Sequence, residues 1–416
     1  MLKRCCMMIP AAVAVALATA SVTAAAQTWS FEQIAKQALA SHPAIRSRQS
    51  SSAAAKAELD QAEWERYPTP SLELNNDTDN TRNAVFRLQQ PLWTGGRITA
   101  GIDAAQSRLQ ASQTAADETR QDVVLRVIAA YVEALRQQAR QKAIAEGVQQ
   151  HERLLGLMTR RVEQQVSPAV DQELAQSRLL QANNDLSTVS QALANALTQL
   201  SQLAGTPVRA VSSFDVYGLP GPRNRDEALE QAMTRSPTLR RLAFEEEAAQ
   251  AEIQAKKAAY MPQLAVRYEH GYASAPVNGV PAFTSDRLML VLVAQTGAGL
   301  SALSGVDAAV ARREAIRLER DSAARDVQER VSVDWDEAEA ARVRLENATL
   351  ASSSSREVYE SYSRQFAAGR KTWLDVLNAV RESTQSEVAV MDASAQAAGA
   401  SLRLRLVTGN LTGILR

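Results

Sequence analysis

The chain has 416 residues, and its 46 basic side chains are matched by 46 acidic ones. A formal net charge of zero leaves no basic field to hold nucleic acid. Aromatic residues are only 5% of the chain, and its abundant alanine, with Gln, Glu, Arg and Leu, is helix-forming material.

Lys3 and Arg4 precede an apolar stretch, Ile9 to Val22, and Ala24-Ala25-Ala26 supplies small residues where a signal peptidase cuts. Residues 1–26 are therefore expected to be a Sec-type signal peptide, removed before Gln27. Cys5 and Cys6 lie ahead of the apolar stretch, are poorly placed for a lipoprotein site, and leave with the signal. The mature chain then has no cysteine, which excludes disulfides, zinc–thiolate sites and cysteine nucleophiles. Beyond the signal no run approaches the roughly 18–20 apolar residues of a membrane-spanning helix. If the mature chain spans a membrane, it does so with strands.

In chain order, a short helix over Phe31–Ala40 is expected to end before His42-Pro43, because an X-Pro pair disfavours helix at the preceding residue. A second helix covers Ala44–Glu65, and Pro68 stops it. Two strand candidates follow. Leu72 and Leu74 alternate with Glu73 and Asn75; after the polar loop Asp77–Arg82, Phe86 and Leu88 alternate with Arg87 and Gln89. From Arg97 to about Val166 there is no proline, and a helix of that length is on the order of 100 Å long. The usual helix has about three turns. Gly147 and Gly156 are candidate bends. Val123, Val127, Tyr131 and Leu135 form an i, i+4 stripe, as do Val189, Leu193, Leu197 and Leu200 on the return helix. Such narrow stripes predict coiled-coil-like hairpins rather than one globular core.

The second half repeats the first. "ALASHPAIRSRQ" from Ala38 is matched by "AMTRSPTLRRLA" from Ala232, and "WERYPTPSLEL" by "AAYMPQLAVRY", with Pro43 and Pro68 in register with Pro237 and Pro262. "GIDAAQSR" from Gly101 matches "GVDAAVAR" from Gly305, and Asp171 matches Asp375, after a ten-residue loop insertion. The period is too long for a solenoid and marks a duplicated domain half. The boundaries read as 27–210 for the first repeat (strands about 70–93, long helices about 97–203), 211–223 for a linker, and 224–416 for the second (strands about 263–295, long helices about 301–407). Short and medium helices are expected over Asp226–Thr234 and Thr238–Ala259. Leu264, Val266 and Tyr268 alternate with Ala265, Arg267 and Glu269, and a longer loop around Pro276–Pro281 follows. Leu288–Ala294 is apolar at every position and reads as a strand only by position and β-branched content. Val327, Val331 and Trp335 restate the helical stripe.

One chain supplies four such strands, and an open sheet edge cannot sit in lipid, because its unpaired N–H and C=O groups cost several kcal/mol each. Membrane barrels begin at about eight strands. The chain must therefore pool strands with copies of itself: two, three or four copies would give eight, twelve or sixteen. Tyr67 and Trp93, at the helix–strand junctions, suit an aromatic belt.

Several segments resemble the TolC-like outer-membrane factor family over the whole mature length. They are the opening "SFEQIAKQALASHP", the duplicated "YP" and "MP" breaks, the strand exit "QPLWTGGR", and "QFAAGRKTWLDVLNAVRE". "VEQQVSPAVDQELAQSR" looks closest to outer-membrane components of type I secretion systems. The resemblance implies a mainly α fold: long antiparallel helical hairpins forming a periplasmic α-barrel, and four transmembrane strands per chain in a trimeric twelve-stranded β-barrel. It also implies an outer-membrane channel-tunnel, not an enzyme, without cofactor or metal. Its expected partners are two further copies, outer-membrane lipid, a periplasmic adaptor (membrane fusion protein) and an inner-membrane ABC or RND transporter.

The same resemblance points to the helix-hairpin tips. Asp375 falls on a ring aspartate of the periplasmic entrance, Lys371 where the family often has an arginine linking neighbouring helices, Phe366 on a tyrosine, and Asp171 on that tyrosine's partner acid. Phenylalanine has no hydroxyl, so the Phe366–Asp171 hydrogen bond cannot form, and Asn378 stands where a second ring aspartate would. Val166, Ser167, Pro168, Gly369 and Arg370 are the implied adaptor-docking tip. Elementary helix chemistry also accounts for part of this pattern. Ser167-Pro168 reads as an N-cap with proline at the first helical position, and Thr372 with Asp375 as a capping box. Three Asp375 carboxylates around an axis would favour cations and raise one another's pKa values.

Catalysis has no motif. His42, His151 and His270 lack metal-ligand spacing and read as surface residues, His151 in mid-helix among glutamines and His270 at a strand end, and the glycine-rich "QTGAGLSALSG" lacks the lysine of a P-loop. "ASSSSRE" reads as the polar face of a helix. Other readings carried are a multidrug or metal efflux channel, a periplasmic adaptor, and a coiled-coil structural protein. The last two do not explain two matched amphipathic strand pairs.

Overall fold

The computed structural model describes residues 28–76, 82–213, 221–274, 283–294 and 301–411. The expected signal peptide, the first strand loop apart from Arg82, the second strand loop, the glycine run before Ser301 and most of the inter-repeat linker lie outside the described residues.

The first half runs β1 (Thr28–Trp29), α1 (Phe31–Ser41), α2 (Pro43–Trp64), β2 (Thr69–Asn76), β3 (Arg82–Trp93), α3 (Arg97–Glu163), α4 (Ala169–Ala204) and β4 (Ala210–Val211). The second runs α5 (Arg225–Arg235), α6 (Pro237–Ala258), β5 (Gln263–Ser274), β6 (Phe283–Val293), α7 (Ser301–Ala367) and α8 (Trp373–Val407). The X-Pro pairs both end one helix and start the next. His42 caps α2 by accepting from the Ala44 amide, Ser236 caps α6, and each proline takes the first helical position, where its missing N–H has no partner to lose.

β2, β3, β5 and β6 form one antiparallel sheet in that order, joining the strand pairs of the two halves through β3 and β5. Its two faces differ. Rows containing Leu72, Leu74, Phe86, Leu88, Leu264, Val266, Tyr268, Leu288, Leu290 and Leu292 share one side; Ser71, Glu73, Arg87, Gln89, Arg267, Glu269 and Arg287 share the other. On the polar side Arg87 bridges Glu73 at 2.5 Å and Glu269 at 3.0 Å. β6, whose apolar run defied alternation, takes its faces from this register: leucines go to the apolar side, and Met289, Val291 and Val293 to the polar side near the helical end. A bulge between Pro91 and Trp93 brings Trp93 into the row of Leu264, on the apolar face. Trp93 and Tyr67 are both half exposed at the helix–strand junction.

The helices form a layer with α3 inside it. α3 packs on α2, α4, α6 and α8, whereas α7 packs chiefly on α6 and α8. The main core gathers Phe31 and Ile34 of α1, Val123, Val127, Ile128 and Tyr131 of α3, Leu200 of α4 and Leu402 of α8. Phe31 meets Tyr131 edge-on at 5.6 Å, and the Tyr131 hydroxyl donates to the Ser212 carbonyl at 2.6 Å, so the largest fully buried side chain among the described residues keeps its polar end satisfied. α3 runs unbroken through Gly147 and Gly156 and ends at Glu163, three residues before the expected Val166. Gly147 is not a break. Thr384 of α8 sits where a Cβ would be, at 2.9 Å, so the missing side chain permits the helix crossing.

Two further expectations are corrected. His151 is buried rather than on the surface; burial, then Arg178, holds its pKa below the usual imidazole value, and its Nδ1 has no hydrogen-bond partner. His270 lies within β5 rather than at its end, exposed and 2.7 Å from Asp286. "ASSSSRE" is helical, and Ser355 reaches Ser386 of α8 at 2.9 Å.

Candidate functional site: the tips of the helical hairpins

Each long helix turns at its far end by the same backbone device. After α3, the Val166 amide bonds the Arg161 carbonyl and the Gln165 amide the Val162 carbonyl; after α7, Arg370 bonds Gln365 and Gly369 bonds Phe366 in the same pattern. This is a Schellman turn, which needs a left-handed residue at its corner. Gly369 fills that position at φ 73°, and Gln165 fills it at φ 61°, alone among the described non-glycine residues in having a positive φ.

The two return helices start differently. α8 begins with the expected capping box. The Asp375 carboxylate accepts from the Thr372 amide at 3.1 Å and hydroxyl at 2.8 Å, and the Asp375 amide donates to that hydroxyl at 3.2 Å. These bonds, aided by Lys371, hold the Asp375 carboxyl below the ordinary aspartate pKa. α4 corrects its expectation. Pro168 itself is the N-cap, with no side-chain cap, and Ser167 is free to accept from Arg161 Nε at 3.2 Å.

Packing unites the tips. Leu154 and Met158 of α3, Ala175 of α4, and Trp373, Val376, Leu377 and Val380 of α8 form one buried cluster, with Tyr359, Tyr362 and Phe366 of α7 against it. The Trp373 indole N–H donates to the Asp171 carbonyl at 3.2 Å. Phe366 packs 5.3 Å from Trp373 and carries the Arg161 guanidinium 5.0 Å above its ring. Lys371 lies 4.1 Å over the Tyr362 ring, within its own hairpin.

Of the residues singled out by sequence, Asp171 and Phe366 are therefore both drawn to Trp373, one through its main chain and the other through its ring. Lys371 and Asp375 share the α8 cap, while Asn378 is exposed one turn further on. Val166, Pro168, Gly369 and Arg370 are exposed at the turns, and Ser167 is half-buried. Trp373, Arg161 and Tyr362 were not singled out. The signal for Trp373 was present: the register of the repeat sets it against Ala169, a large change at a matched position. Among the described residues no cluster of His, Cys, Asp or Glu could hold a metal, and no helix is long and apolar enough to cross a membrane.

Comparison with solved structures finds the same architecture. A membrane protein from Pseudomonas aeruginosa superposes with a TM-score of 0.79 at 20% identity, over 91% of this chain and 92% of that one. CusC gives 0.77 at 15%, over 91% of each chain. VceC of Vibrio cholerae gives 0.74 at 16%, over 91% and 96%. Comparison with curated protein sequences gives no match. The family model for outer membrane efflux proteins matches residues 34–206 and 228–410, one span in each half. With most of its length matched, the chain belongs to the outer membrane efflux protein family.

Proposed function

We propose that three copies of this chain close a twelve-stranded barrel in the outer membrane and continue it as a helical tunnel through the periplasm. Substrate would leave through this tube, delivered by an inner-membrane transporter and a periplasmic adaptor. The carrying observation is the four-stranded sheet. It has one apolar and one polar face, and both of its outer strands, β2 and β6, are without a further partner among the described residues. An apolar face fits lipid, a polar face fits a water-filled lumen, and edges in lipid demand closure. β2 and β6 run antiparallel when a second copy is placed beside the first, so copies add head to tail. α7 supports the same arrangement: Leu318, Val333, Val343, Leu350 and Val358 are exposed and recur at close to whole helical turns, an apolar stripe without a partner among the described residues.

The tips are then the periplasmic entrance. Asp375 supplies the ring of charge at the constriction, Lys371 and Asp171 flank it, and Val166, Ser167, Pro168, Gly369 and Arg370 meet the adaptor. The cargo class we infer is protein, by type I secretion, because the first tip carries the segment "VEQQVSPAVDQELAQSR". The test is fractionation followed by deletion. Heat-modifiable trimers in outer-membrane extracts are expected, with proteins missing from the medium of the deletion strain. A soluble periplasmic pool would overturn the channel, and an unchanged secretome with drug or metal sensitivity would reassign the cargo.

A further inference from the structure

Building on the channel reading, we propose that Trp373 is the clasp that ties the two helical hairpins of each chain together at the entrance, with Arg161 on Phe366 as the second link. The indole N–H to the Asp171 carbonyl is, among the described residues, the only hydrogen bond that joins the two tips. Trp373 is 6% exposed, so its N–H would be costly to leave unpaired, and its ring is seated among Met158, Ala175 and Val376. Among the described residues the Asp171 carboxylate has no hydrogen-bond partner, and Phe366 has no hydroxyl to offer one. The joint that a tyrosine and an acid would make is therefore made here by an indole and a main-chain carbonyl. Arg161 adds to it: its guanidinium is pinned by Ser167 on its own turn and lies over Phe366 of the other hairpin.

This joint has a chemical signature. Neither an indole N–H nor a peptide carbonyl titrates in the working range, and a neutral hydrogen bond is little screened by salt. Separation of the α7–α8 tip from the α3–α4 tip breaks it and draws Trp373 out of its seat, so the clasp opposes widening of the entrance at every pH.

The experiment is conductance of the full-length protein in planar bilayers in potassium chloride. Trp373→Phe keeps a ring for packing and removes the donor. It should raise open probability about fivefold for each clasp that must open, the factor that one net hydrogen bond near 1 kcal/mol commands. The rise should be the same in acid and neutral buffer and in dilute and concentrated salt. Arg161→Met should give a smaller rise, and it carries the test alone if Trp373→Phe does not assemble. Native-like traces from the assembled variants overturn the clasp and leave the channel standing. For Trp373→Phe, a rise that disappears in concentrated salt also overturns it, since a charge pair would then hold the tips. Native protein and assembled variants that all conduct nothing overturn the channel and the clasp together.

Discussion

α3 and α7 are both 67 residues long and start from matching segments, yet α3 buries 22 of its residues and α7 only four, Ala309, Val331, Asp334 and Ala341. Local chemistry explains part of this: both helices are long and proline-free, but Val124, Ile128 and Val148 of α3 stand in register with Gln328, Ser332 and Ser352 of α7. Position explains the rest. α3 has neighbours on both sides, while α7 lies at the edge of the layer with one side open. The short helices repeat the contrast. α1 inserts Phe31 and Ile34 into the main core; at the register position of Phe31, α5 has Arg225, which reaches only an exposed Asp336 at 3.8 Å. A duplicated sequence thus yields two copies of the same secondary structure with two fates, one sealed within the chain and one left open along one side.

Truncation at matched positions should separate the two halves most. Phe31→Ala should cost about 3–5 kcal/mol of stability in denaturant titration, and Arg225→Ala within about 0.5 kcal/mol. Equal losses would mean that the halves are sealed alike. Next in size is the edge. Leu350→Glu sets a charge in the exposed stripe of α7 and should leave helicity by circular dichroism unchanged while trimers give way to monomers in sedimentation. A trimer that survives would place the contact elsewhere.

At the tips the comparison concerns charge. Asp375→Ala should change single-channel conductance and reduce cation preference. The carboxyl of Asp375 is held below its ordinary pKa by Thr372, so its charge is present through neutral pH and is lost only as pH falls through that lowered value. The cation preference, read from reversal potentials, should therefore persist to below the ordinary aspartate value of about 3.9. A midpoint above it would show that repulsion between three carboxylates outweighs the cap. The smallest effect concerns the corner residues. Gln165→Gly should raise the unfolding free energy by about 1 kcal/mol by relieving a left-handed side chain, and Gly369→Gln should lower it by a similar amount. Thermal melts of the two variants moving in the same direction would contradict this.

The tips also show where sequence reasoning stops. The Thr372–Asp375 capping box was legible because it lies within four consecutive residues. Ser167-Pro168 was misassigned by one position because Ser167 had a competitor for its oxygen: Arg161, six residues back and brought near only by the turn. The Trp373–Asp171 bond spans 202 residues, and its acceptor is a main-chain atom that every residue possesses. His151 looked like a surface residue among glutamines because helical periodicity gives its face but not which faces are covered.

The elements and their repetition follow from the order of residues: helix length from the absence of proline, breaks from Pro43, Pro68, Pro237 and Pro262, strand faces from alternation, and the capped start of α8. These depend on forces that act within a few residues. Tertiary structure alone decided that β3 joins β5, which side of β6 counts as apolar, that α3 lies inside and α7 at the edge, and that Trp373 closes the tip. Those outcomes follow from which surfaces meet across long stretches of chain, and burial is a property of the neighbour as much as of the residue.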